Sequence, residues 1–535
     1  MAVETVDEST SADPSGSTEA ADDRRASAVF VAVGVVASAF YVAIGRRLWF
    51  VNDEWDFLAR RTIGSFRGLF SSHNGHWCTL PIIVYRFLWW IVGIRSYVPY
   101  QVLIVALHFL AAWLLRRVMV RAGVGPWLAT ASALVLVLFG RGEEDLIWPF
   151  QITFVGALVF GLTQLLLADH DGPLDRRDWL ALVAGGAALL CSGVAITMII
   201  VVGIATLIRR GVRVALVHTV PFGLAYLIWL STEARDAFTG SGTGLSEKIK
   251  FVMKTPLNTF RAMSSYRGGQ FVLVALLVVG LVLALRRRPR AEWATRYAAP
   301  FALLVGAGVF LVIAALGRAG PTGAGFRSRY LDITLALMLP AVAIAADAIV
   351  TRWRALILPV LVLLLVGVPS NLHSISSSTA AQRNGFVQYR QTVLALPRLP
   401  LSHTAPLALQ PLPAITVGWL LAGVASGRIP APGPISAVEA ATDRLRLSLR
   451  PARSSGANVT GCRTLTGLVT IRLRPKHFVT VAKGSIRIAP VLGPLDGIYP
   501  AIYRNGSVLT PVSSAVTFRV LPASPRKATT RFCVR

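Results

Sequence analysis

Residues 27–45 read SAVFVAVGVVASAFYVAIG and lie between the basic pairs Arg24-Arg25 and Arg46-Arg47. An uncharged helix of this length would be about 28 Å long, close to the thickness of the hydrocarbon core of a bilayer. No small-residue cleavage site follows, so we interpret the run as a retained signal-anchor helix rather than a removed signal peptide. This interpretation places the chain from residue 51 onward on the outer face of the membrane.

The composition of the whole chain supports the same class of protein. Of the 535 residues, 54% are hydrophobic and 15% are charged, whereas a soluble domain has about 45–50% apolar and about 25% charged residues. The chain therefore has too little polar surface for a water-soluble globule and is too apolar to be disordered over most of its length. Four cysteines also exclude a small disulfide scaffold. The composition indicates an integral membrane protein.

Further apolar runs predict an α-helical polytopic protein with about eleven spans, a cytoplasmic N-terminus and an external C-terminus. They lie at 98–115, 126–140, 149–168, 179–191, 194–208, 213–231, 270–285, 298–316, 331–350 and 354–369. The runs 179–191 and 194–208 could also form one long span. Two short tilted spans are preferred, because they keep the basic residues that precede the first run and those that follow the second on the cytoplasmic side. The run 80–94 is short and contains Arg86, which predicts an interfacial helix within a first external loop of residues 46–97.

The two ends of the chain differ from this transmembrane domain, which covers residues 27–369. Residues 1–26 are polar and without periodicity, which predicts a disordered cytoplasmic tail. Residues 370–535 combine Pro-rich stretches with alternating segments such as 469–473, which predicts an external linker and a small, mostly β domain. Cys462 and Cys533 lie in that domain on the oxidising side, where they could form a disulfide. The alternative is two unrelated free thiols.

The net charge of +28 needs an explanation in a membrane protein. Most basic residues lie between apolar runs, which indicates positive-inside flanking and attraction to anionic lipid headgroups rather than nucleic-acid binding. A sharper interpretation is an anionic substrate such as a lipid phosphate. The predicted external loop 232–269 is also basic, and phosphate binding at that face would explain its charges, which are Lys248, Lys250, Lys254, Arg261 and Arg267.

The first external loop opens with the acidic segment 52–56, NDEWD. Its carboxylates Asp53, Glu54 and Asp56 repel one another beside the bilayer, which raises at least one pKa and could provide a general base or a metal site. The alternative is structural, with Asp53 as the N-cap of a helix that begins near Trp55.

The next polar segment, 71–77, reads SSHNGHW and contains His73 and His76. Histidines three residues apart can share one helical face as metal ligands or as donors to an anion. They can equally be polar residues of a loop. No second Cys or His near Cys78 completes a four-ligand set, so hydrogen bonding to a substrate is the better functional interpretation.

Two later external segments carry further candidates. The segment 141–151 contains the acidic run 143–145, with Glu144, and then Gln151, which could face a polar cavity. The Gly-rich segment 318–330 ends in basic and hydroxyl side chains that suit phosphate oxygens, namely Arg318, Arg327, Arg329 and Tyr330. The alternative is a flexible loop whose arginines contact lipid headgroups.

An acidic motif after the first span, a long first loop with interfacial helices and about a dozen spans resemble the GT-C glycosyltransferases. Those are multi-pass enzymes that use polyprenyl-phosphate-linked sugars. More narrowly, the segments DEWD (53–56), HNGHW (73–77), WPFQ (148–151) and SRY (328–330) resemble those of actinobacterial members of that group. The resemblance covers roughly residues 28–370.

The resemblance implies inverting transfer of a sugar at the outer face of the plasma membrane. The donor would be a polyprenyl-phosphate sugar, and the acceptor a cell-envelope glycan, lipid or protein. Asp53 or Glu54 would be the base for the acceptor hydroxyl, and Arg329 with Tyr330 and Arg318 would hold the phosphate. No cofactor is required, although a divalent metal could bind at Asp53 and Glu54.

This interpretation predicts that Asp53, Glu54 and Arg329 line one external cavity, because a shared polar cavity relieves the desolvation cost of both charge clusters. Two other classes of function remain open. One is a transporter or flippase of an anionic lipid-linked precursor, and the other is a non-catalytic membrane scaffold that presents the β domain.

Overall fold

The computed structural model describes residues 14–234, 243–318, 328–398 and 415–534, except for 432, 435, 452–461, 492–500, 505–506, 512–513 and 524–529. The chain folds into two compact units. Unit 1 comprises Met1–Gly45, Phe70–Pro81 and Tyr100–Thr379, and unit 2 comprises Arg46–Leu69, Ile82–Pro99 and Ala380–Arg535.

Helices dominate the chain. In chain order, α1 to α19 are Pro14–Gly45, Phe66–Phe70, Thr79–Ile91, Val98–Arg121, Pro126–Val137, Glu143–Ile147, Ile152–Ala168, Arg176–Leu189, Val194–Arg210, Val212–Glu233, Leu245–Ser264, Gly269–Arg287, Arg290–Arg296, Ala298–Arg318, Ser328–Arg352, Ile357–Leu365, Val368–Ala395, Val417–Ala425 and Ala437–Ser448. The strands β1 to β9 are Leu449–Pro451, Cys462–Leu465, Val469–Leu473, Val479–Lys483, Ser485–Ala489, Ala501–Arg504, Val508–Pro511, Val516–Pro522 and Thr530–Val534.

The chain is a polytopic helical membrane protein. Among the described residues, eight helical stretches are long and apolar enough to cross a membrane: Ala20–Gly45, Val98–Arg121, Pro149–Ala168, Val212–Glu233, Gly269–Arg287, Ala298–Gly317, Ser328–Arg352 and Arg354–Ala395. The helix α3 has 13 residues and is about 20 Å long, too short to cross a bilayer unaided.

Unit 1 is a bundle with two ends that can be told apart by long-range contacts. At one end Tyr41 donates to the carbonyl of Val137 at 2.8 Å, and Gln101 donates to the carbonyl of Tyr41 at 2.8 Å. At the other end the buried Arg116 pairs with Asp23 at 2.7 Å. Helices α1 and α5 therefore run parallel, and α4 runs antiparallel to both. We name these ends the site end, which contains Val137, and the basic end, which contains Arg116.

The shorter helices α5, α8 and α9 also join these two ends. Asp178 at the start of α8 contacts Arg210 at the end of α9, and Arg209 beside it pairs with Asp169 at the end of α7. At the site end, the carbonyl of Leu190 accepts from the amide of Leu80 at 3.0 Å. Helices of only 12 to 17 residues therefore extend from one end of the bundle to the other.

The expectation of disorder over residues 1–26 is wrong for residues 14–26, which belong to α1; residues 1–13 lie outside the described part of the chain. The helical segment 14–26 is held by tertiary contacts, because Asp23 pairs with Arg116 and the carbonyl of Ala26 accepts a hydrogen bond from Thr130 at 3.2 Å. The ordering of this polar segment depends on partners about a hundred residues away.

The predicted mostly-β segment is an antiparallel β-sandwich in unit 2. One sheet has the order β1-β7-β4-β9-β2 and the other β3-β8-β5-β6. Alternating apolar residues of both sheets, including Leu473, Val481 and Phe518, form its core. The predicted disulfide joins Cys462 and Cys533, which are register partners on β2 and β9. Closing a loop of this length would stabilise the sandwich by about 4 kcal/mol in the chain-entropy description.

The predicted linker after residue 369 is partly helical. Helix α17 runs from Val368 to Ala395, because Pro369 is acceptable in the first turn of a helix and no proline follows before Pro397. The strands begin only at Leu449, after α18 and α19.

Candidate functional site

In unit 2, Glu54 of the first acidic segment is fully buried and has three hydrogen-bond donors. Its carboxylate accepts from the amide of Val51 at 2.8 Å, from the hydroxyl of Tyr85 at 2.8 Å and from the hydroxyl of Tyr97 at 3.2 Å. Burial and the adjacent Glu54 raise the pKa of Tyr97 well above its ordinary value, so this phenol remains a donor. Glu54 therefore organises the loop, and its oxygens are already engaged.

Asp56 is also held by partners. It starts a short π-helix, Asp56–Arg60, and pairs with Arg60 at 3.4 Å and with the buried Arg61 at 3.0 Å. Asp53 is the partly exposed carboxylate of the three. It directly precedes the helix that begins at Glu54, and its carbonyl accepts from the amide of Asp56 at 3.1 Å. The cap position expected for Asp53 and a role as base are both compatible with this placement.

In unit 1, Arg329 at the first turn of α15 lies beside Glu144 at the site end. The nearest atoms, Nε and a carboxylate oxygen, are 3.7 Å apart, which is an ion pair but too long for a hydrogen bond. The guanidinium lies 5.8 Å from the ring centre of Phe154 and 5.4 Å from that of Tyr330. Neither Arg329 Nε nor that oxygen has a hydrogen-bond partner among the described residues. Arg329 is therefore positioned by two rings, and its buried Nε has no hydrogen-bond partner among the described residues.

Asp145, the next residue after Glu144, is fully buried, and neither of its oxygens has a partner in the described part of the chain. It precedes the candidate span Pro149–Ala168. Burial, together with the negative charges of Asp332 and Glu144, raises the pKa of Asp145 well above its ordinary value. A carboxyl group with a raised pKa binds its proton more tightly than an ordinary one and, when protonated, acts as a hydrogen-bond donor.

Asp332 adds a second buried carboxylate at the site end. It lies one turn into α15 and pairs with His108 of α4 at 3.3 Å. The backbone of Gly142 passes so close that a Cβ there would be 2.5 Å from an Asp332 oxygen. The sequence interpretation missed Asp145, Asp332 and His108 as site residues. An acid inside the apolar run 331–350 was a usable signal, because ionisable residues in spans usually have a function.

His73 and His76 lie in a tight hairpin turn rather than on one helical face. Their amides and carbonyls pair reciprocally at 3.0 and 2.9 Å, and Asn74 and Gly75 between them both have positive φ, 50° and 83°. An Asn-Gly pair is the usual sequence of such a turn, and it was the local signal that the helical interpretation overlooked.

The turn places both histidines against the same short segment of unit 1 as Arg329. His73 lies 5.5 Å from the ring centre of Phe150, and His76 lies 5.7 Å from that of Phe154. The amide of Gly193 donates to His76 Nδ1 at 3.2 Å, which assigns the proton of a neutral ring to Nε2. The ring of Phe154 thus contacts both His76 and Arg329.

The remaining candidates from the sequence differ in burial and in whether the structure describes them. Gln151 is fully buried, and its amide oxygen and nitrogen lack partners among the described residues. Tyr330 is buried next to Phe251 and Phe310. Arg327 and the side chain of Arg318 lie outside the described part of the chain. Asp53 and Glu54 belong to unit 2 and Arg329 to unit 1, so their predicted common cavity stays a prediction.

For a metal ion, the geometry of Glu54 is unsuitable because its oxygens accept three hydrogen bonds. Within the described residues, one group has metal-like spacing, namely His170, Asp175 and Asp178 at the basic end. Arg210 contacts Asp178 at 2.5 Å and Arg177 contacts Asp175 at 2.7 Å. Since arginines already neutralise both carboxylates, we interpret this group as an ion-pair network.

Among the described residues, the site end of unit 1 therefore combines Arg329, three carboxyl groups, the buried amide of Gln151 and three histidines at the edge of an apolar bundle. This arrangement can bind an anionic group through Arg329 and can donate or accept protons beside it. Comparisons of the chain with protein-family models, with curated proteins and with solved structures found no match.

Proposed function

We propose that this protein is an inverting membrane glycosyltransferase of the GT-C type that uses a polyprenyl-phosphate sugar as donor and a cell-envelope acceptor. The observation that carries the proposal is Arg329, which is stacked against Phe154, paired with Glu144 and surrounded by buried polar groups at one end of an apolar bundle. An isoprenoid chain can lie among apolar helices while its phosphate meets an arginine at their end.

In this mechanism Arg329 binds the donor phosphate and stabilises the negative charge that grows on it as the glycosidic bond breaks. Asp53 takes the proton of the acceptor hydroxyl, because its side chain is partly exposed whereas Glu54 and Asp56 are buried. Asp145 and Gln151 hold substrate hydroxyl or phosphate oxygens through hydrogen bonds. Transfer needs no metal, since a monophosphate leaving group can be neutralised by arginine.

We also propose eleven passes, a cytoplasmic N-terminus and an extracytoplasmic β-sandwich in the plasma membrane. Support comes from the basic end, where arginines of separate helices collect as the positive-inside rule expects of a cytoplasmic face. They include Arg116, Arg121, Arg177, Arg209 and Arg210.

The test uses the purified full chain in nanodiscs with a panel of radiolabelled polyprenyl-phosphate sugars. Arg329→Ala should weaken donor binding about 10- to 100-fold and lower turnover, because a charge-assisted contact is lost. Asp53→Asn should abolish transfer but retain donor binding. Arg117→Ala, an exposed arginine of α4, is the matched control and should change neither quantity.

The outcomes also separate the candidate bases. Near-normal transfer by Asp53→Asn would show that Asp53 is not the base, and loss of transfer in one of the variants Glu54→Gln, Asp56→Asn or Glu144→Gln would then identify the base. Absence of binding and transfer with every donor of the panel would reject the glycosyltransferase proposal. Transfer that stops on addition of EDTA would show that a metal is needed after all.

A transporter of an anionic lipid-linked precursor is the second candidate function. It is favoured by the buried pair of His108 and Asp332, both within candidate spans, since such pairs often relay protons in transporters. Proteoliposomes should then move a fluorescent polyprenyl-phosphate lipid between leaflets, and Asp332→Asn should abolish that movement. Sugar transfer without lipid movement would exclude this candidate.

A further inference from the structure

The predicted basic loop after α10 contains the helix α11, Leu245–Ser264, which packs against α12, α14 and α15 in unit 1. Its 20 residues include five charged side chains, too many for a bilayer-crossing helix. Phe251 meets the ring of Tyr330 at 6.1 Å, and the carbonyl of Ala262 accepts from Asn371 at 3.0 Å.

Those two contacts place α11 at the site end of the bundle. Tyr330 is the third residue of the span Ser328–Arg352. Asn371 accepts a hydrogen bond from the amide of Arg141 at 3.0 Å, and the next residue, Gly142, lies against Asp332 at the site end. The helix therefore lies across the ends of membrane-spanning helices, where the edge of the bilayer is expected.

Three stripes of different character run along α11. The first is buried against the bundle and consists of Phe251, Thr255, Thr259 and Met263. The second is apolar but exposed: Leu245 is 73% exposed, Ile249 53%, Met253 66% and Leu257 37%. The third is exposed and mostly basic: it consists of Lys250, Lys254 and Arg261, and Lys250 also pairs with Glu247 at 2.8 Å.

Around the helix, the exposed apolar stripe lies between the buried stripe and the basic stripe. At 100° per residue, the apolar stripe is centred about 120° from the buried stripe, and the basic stripe follows about 100° further on. An exposed apolar stripe is expected to enter an apolar phase, and a basic stripe directly beside it would then lie at the level of the lipid phosphates.

We propose that α11 is an interfacial helix that binds anionic phospholipid headgroups through Lys250, Lys254 and Arg261 while its apolar stripe enters the acyl-chain region. The occupant is the bilayer itself, because a soluble anion would explain the basic stripe but leave the apolar stripe facing water. This inference does not depend on the proposed glycosyl transfer.

Fluorescence quenching provides the test. Met253→Cys introduces a reactive thiol into a chain whose own free cysteines, Cys78 and Cys191, are buried. The full chain carries a bimane probe at this position in nanodiscs of neutral phosphatidylcholine that contain either brominated phosphatidylcholine or brominated phosphatidylglycerol at equal density. Brominated phosphatidylglycerol should quench about two- to threefold more strongly, because three basic residues enrich anionic lipid beside the probe.

The matched control places the same probe at Leu224 of α10, which is 57% exposed and has no basic residue one turn away on its helix. There the two brominated lipids should quench equally. In the Met253→Cys background, the combined changes Lys250→Gln, Lys254→Gln and Arg261→Gln should bring the ratio at α11 to about one.

Two results would overturn the proposal. No quenching at position 253 by either lipid would show that α11 lies outside the bilayer. A preference for phosphatidylglycerol that survives the three glutamine changes would show that other charges attract the lipid. The triple variant alters exposed side chains, and an unchanged elution volume together with unchanged quenching at position 224 will verify that it is folded.

Discussion

At the scale of single residues, Asp145 shows how the proposed site differs from an ordinary buried region. A carboxyl group without a partner in the described part of the chain costs free energy, because burial opposes its ionisation. Natural sequences retain such groups mainly where a ligand or a reaction uses them. Glu54 is the opposite case, since its buried carboxylate accepts three hydrogen bonds.

The pKa of Asp145 leads to a prediction on stability. In the folded protein it is raised above the value of an unfolded chain, about 3.9, so the folded state holds a proton that the unfolded state releases. Stability should then decrease as pH rises from about 4 towards the folded-state pKa. Asp145→Asn removes this dependence and should melt at a higher temperature than the wild type at pH 8.

Thermal unfolding in detergent between pH 5 and pH 8 measures this effect. The difference between Asp145→Asn and the wild type should shrink towards pH 5. Glu143→Gln changes a partly exposed carboxylate of the same helix and should leave the pH dependence as it is. A constant difference across this range would contradict the raised pKa.

At the scale of elements, the backbones of helices α12 and α15 come into close contact at Gly280. A Cβ at Gly280 would lie 2.3 Å from the carbonyl oxygen of Ala345 and 2.5 Å from its Cα. The absence of a side chain lets these two backbones approach closely, as small residues do between helices in membranes. The chain pattern alone marks Gly280 as one more glycine of an apolar run.

This contact predicts that Gly280→Ala forces the two helices apart and destabilises unit 1 by about 1–3 kcal/mol. The matched control is Gly308→Ala in α14, where an added Cβ meets nothing within 4 Å. That change should be neutral or stabilising by up to about 1 kcal/mol, because alanine favours helix. Urea or thermal unfolding measures the stability of both variants, and equal stability of the two would refute the close-contact explanation.

At the scale of the whole molecule, the prediction concerns the orientation in the membrane. Alkaline phosphatase, which is active only outside the cytoplasm, should be active when fused after Gly268 or after Arg535. It should be inactive when fused after Gly172 or Gly211, which lie near the ion pairs of the basic end. The physical reason is the retention of clustered arginines on the cytoplasmic side. Activity after Gly172 together with inactivity after Gly268 would invert the proposed topology.

Local patterns in the sequence were sufficient for part of this structure. Apolar runs predicted a polytopic helical protein because a helix must be about 20 apolar residues long to cross a bilayer. The alternation around residues 469–473 predicted the β region, and the pairing of Cys462 with Cys533 followed from their common compartment. The Asn74-Gly75 turn was also present as a local signal, and it favours the loop over the helical alternative for the histidines on either side.

The pairings between distant residues could not be predicted from local patterns and follow from the packing of the folded chain. Tyr85 and Tyr97 lie 31 and 43 positions from Glu54, and their hydroxyls donate hydrogen bonds to its carboxylate. His108 and Asp332 are 224 positions apart, and no periodicity relates them. Local composition was enough to identify the segments that must leave water, because transfer out of water depends on the residues of each segment alone. Which buried polar groups find partners depends on how those segments pack, and within the described residues this distinguishes Glu54, with three donors, from Asp145, which has none.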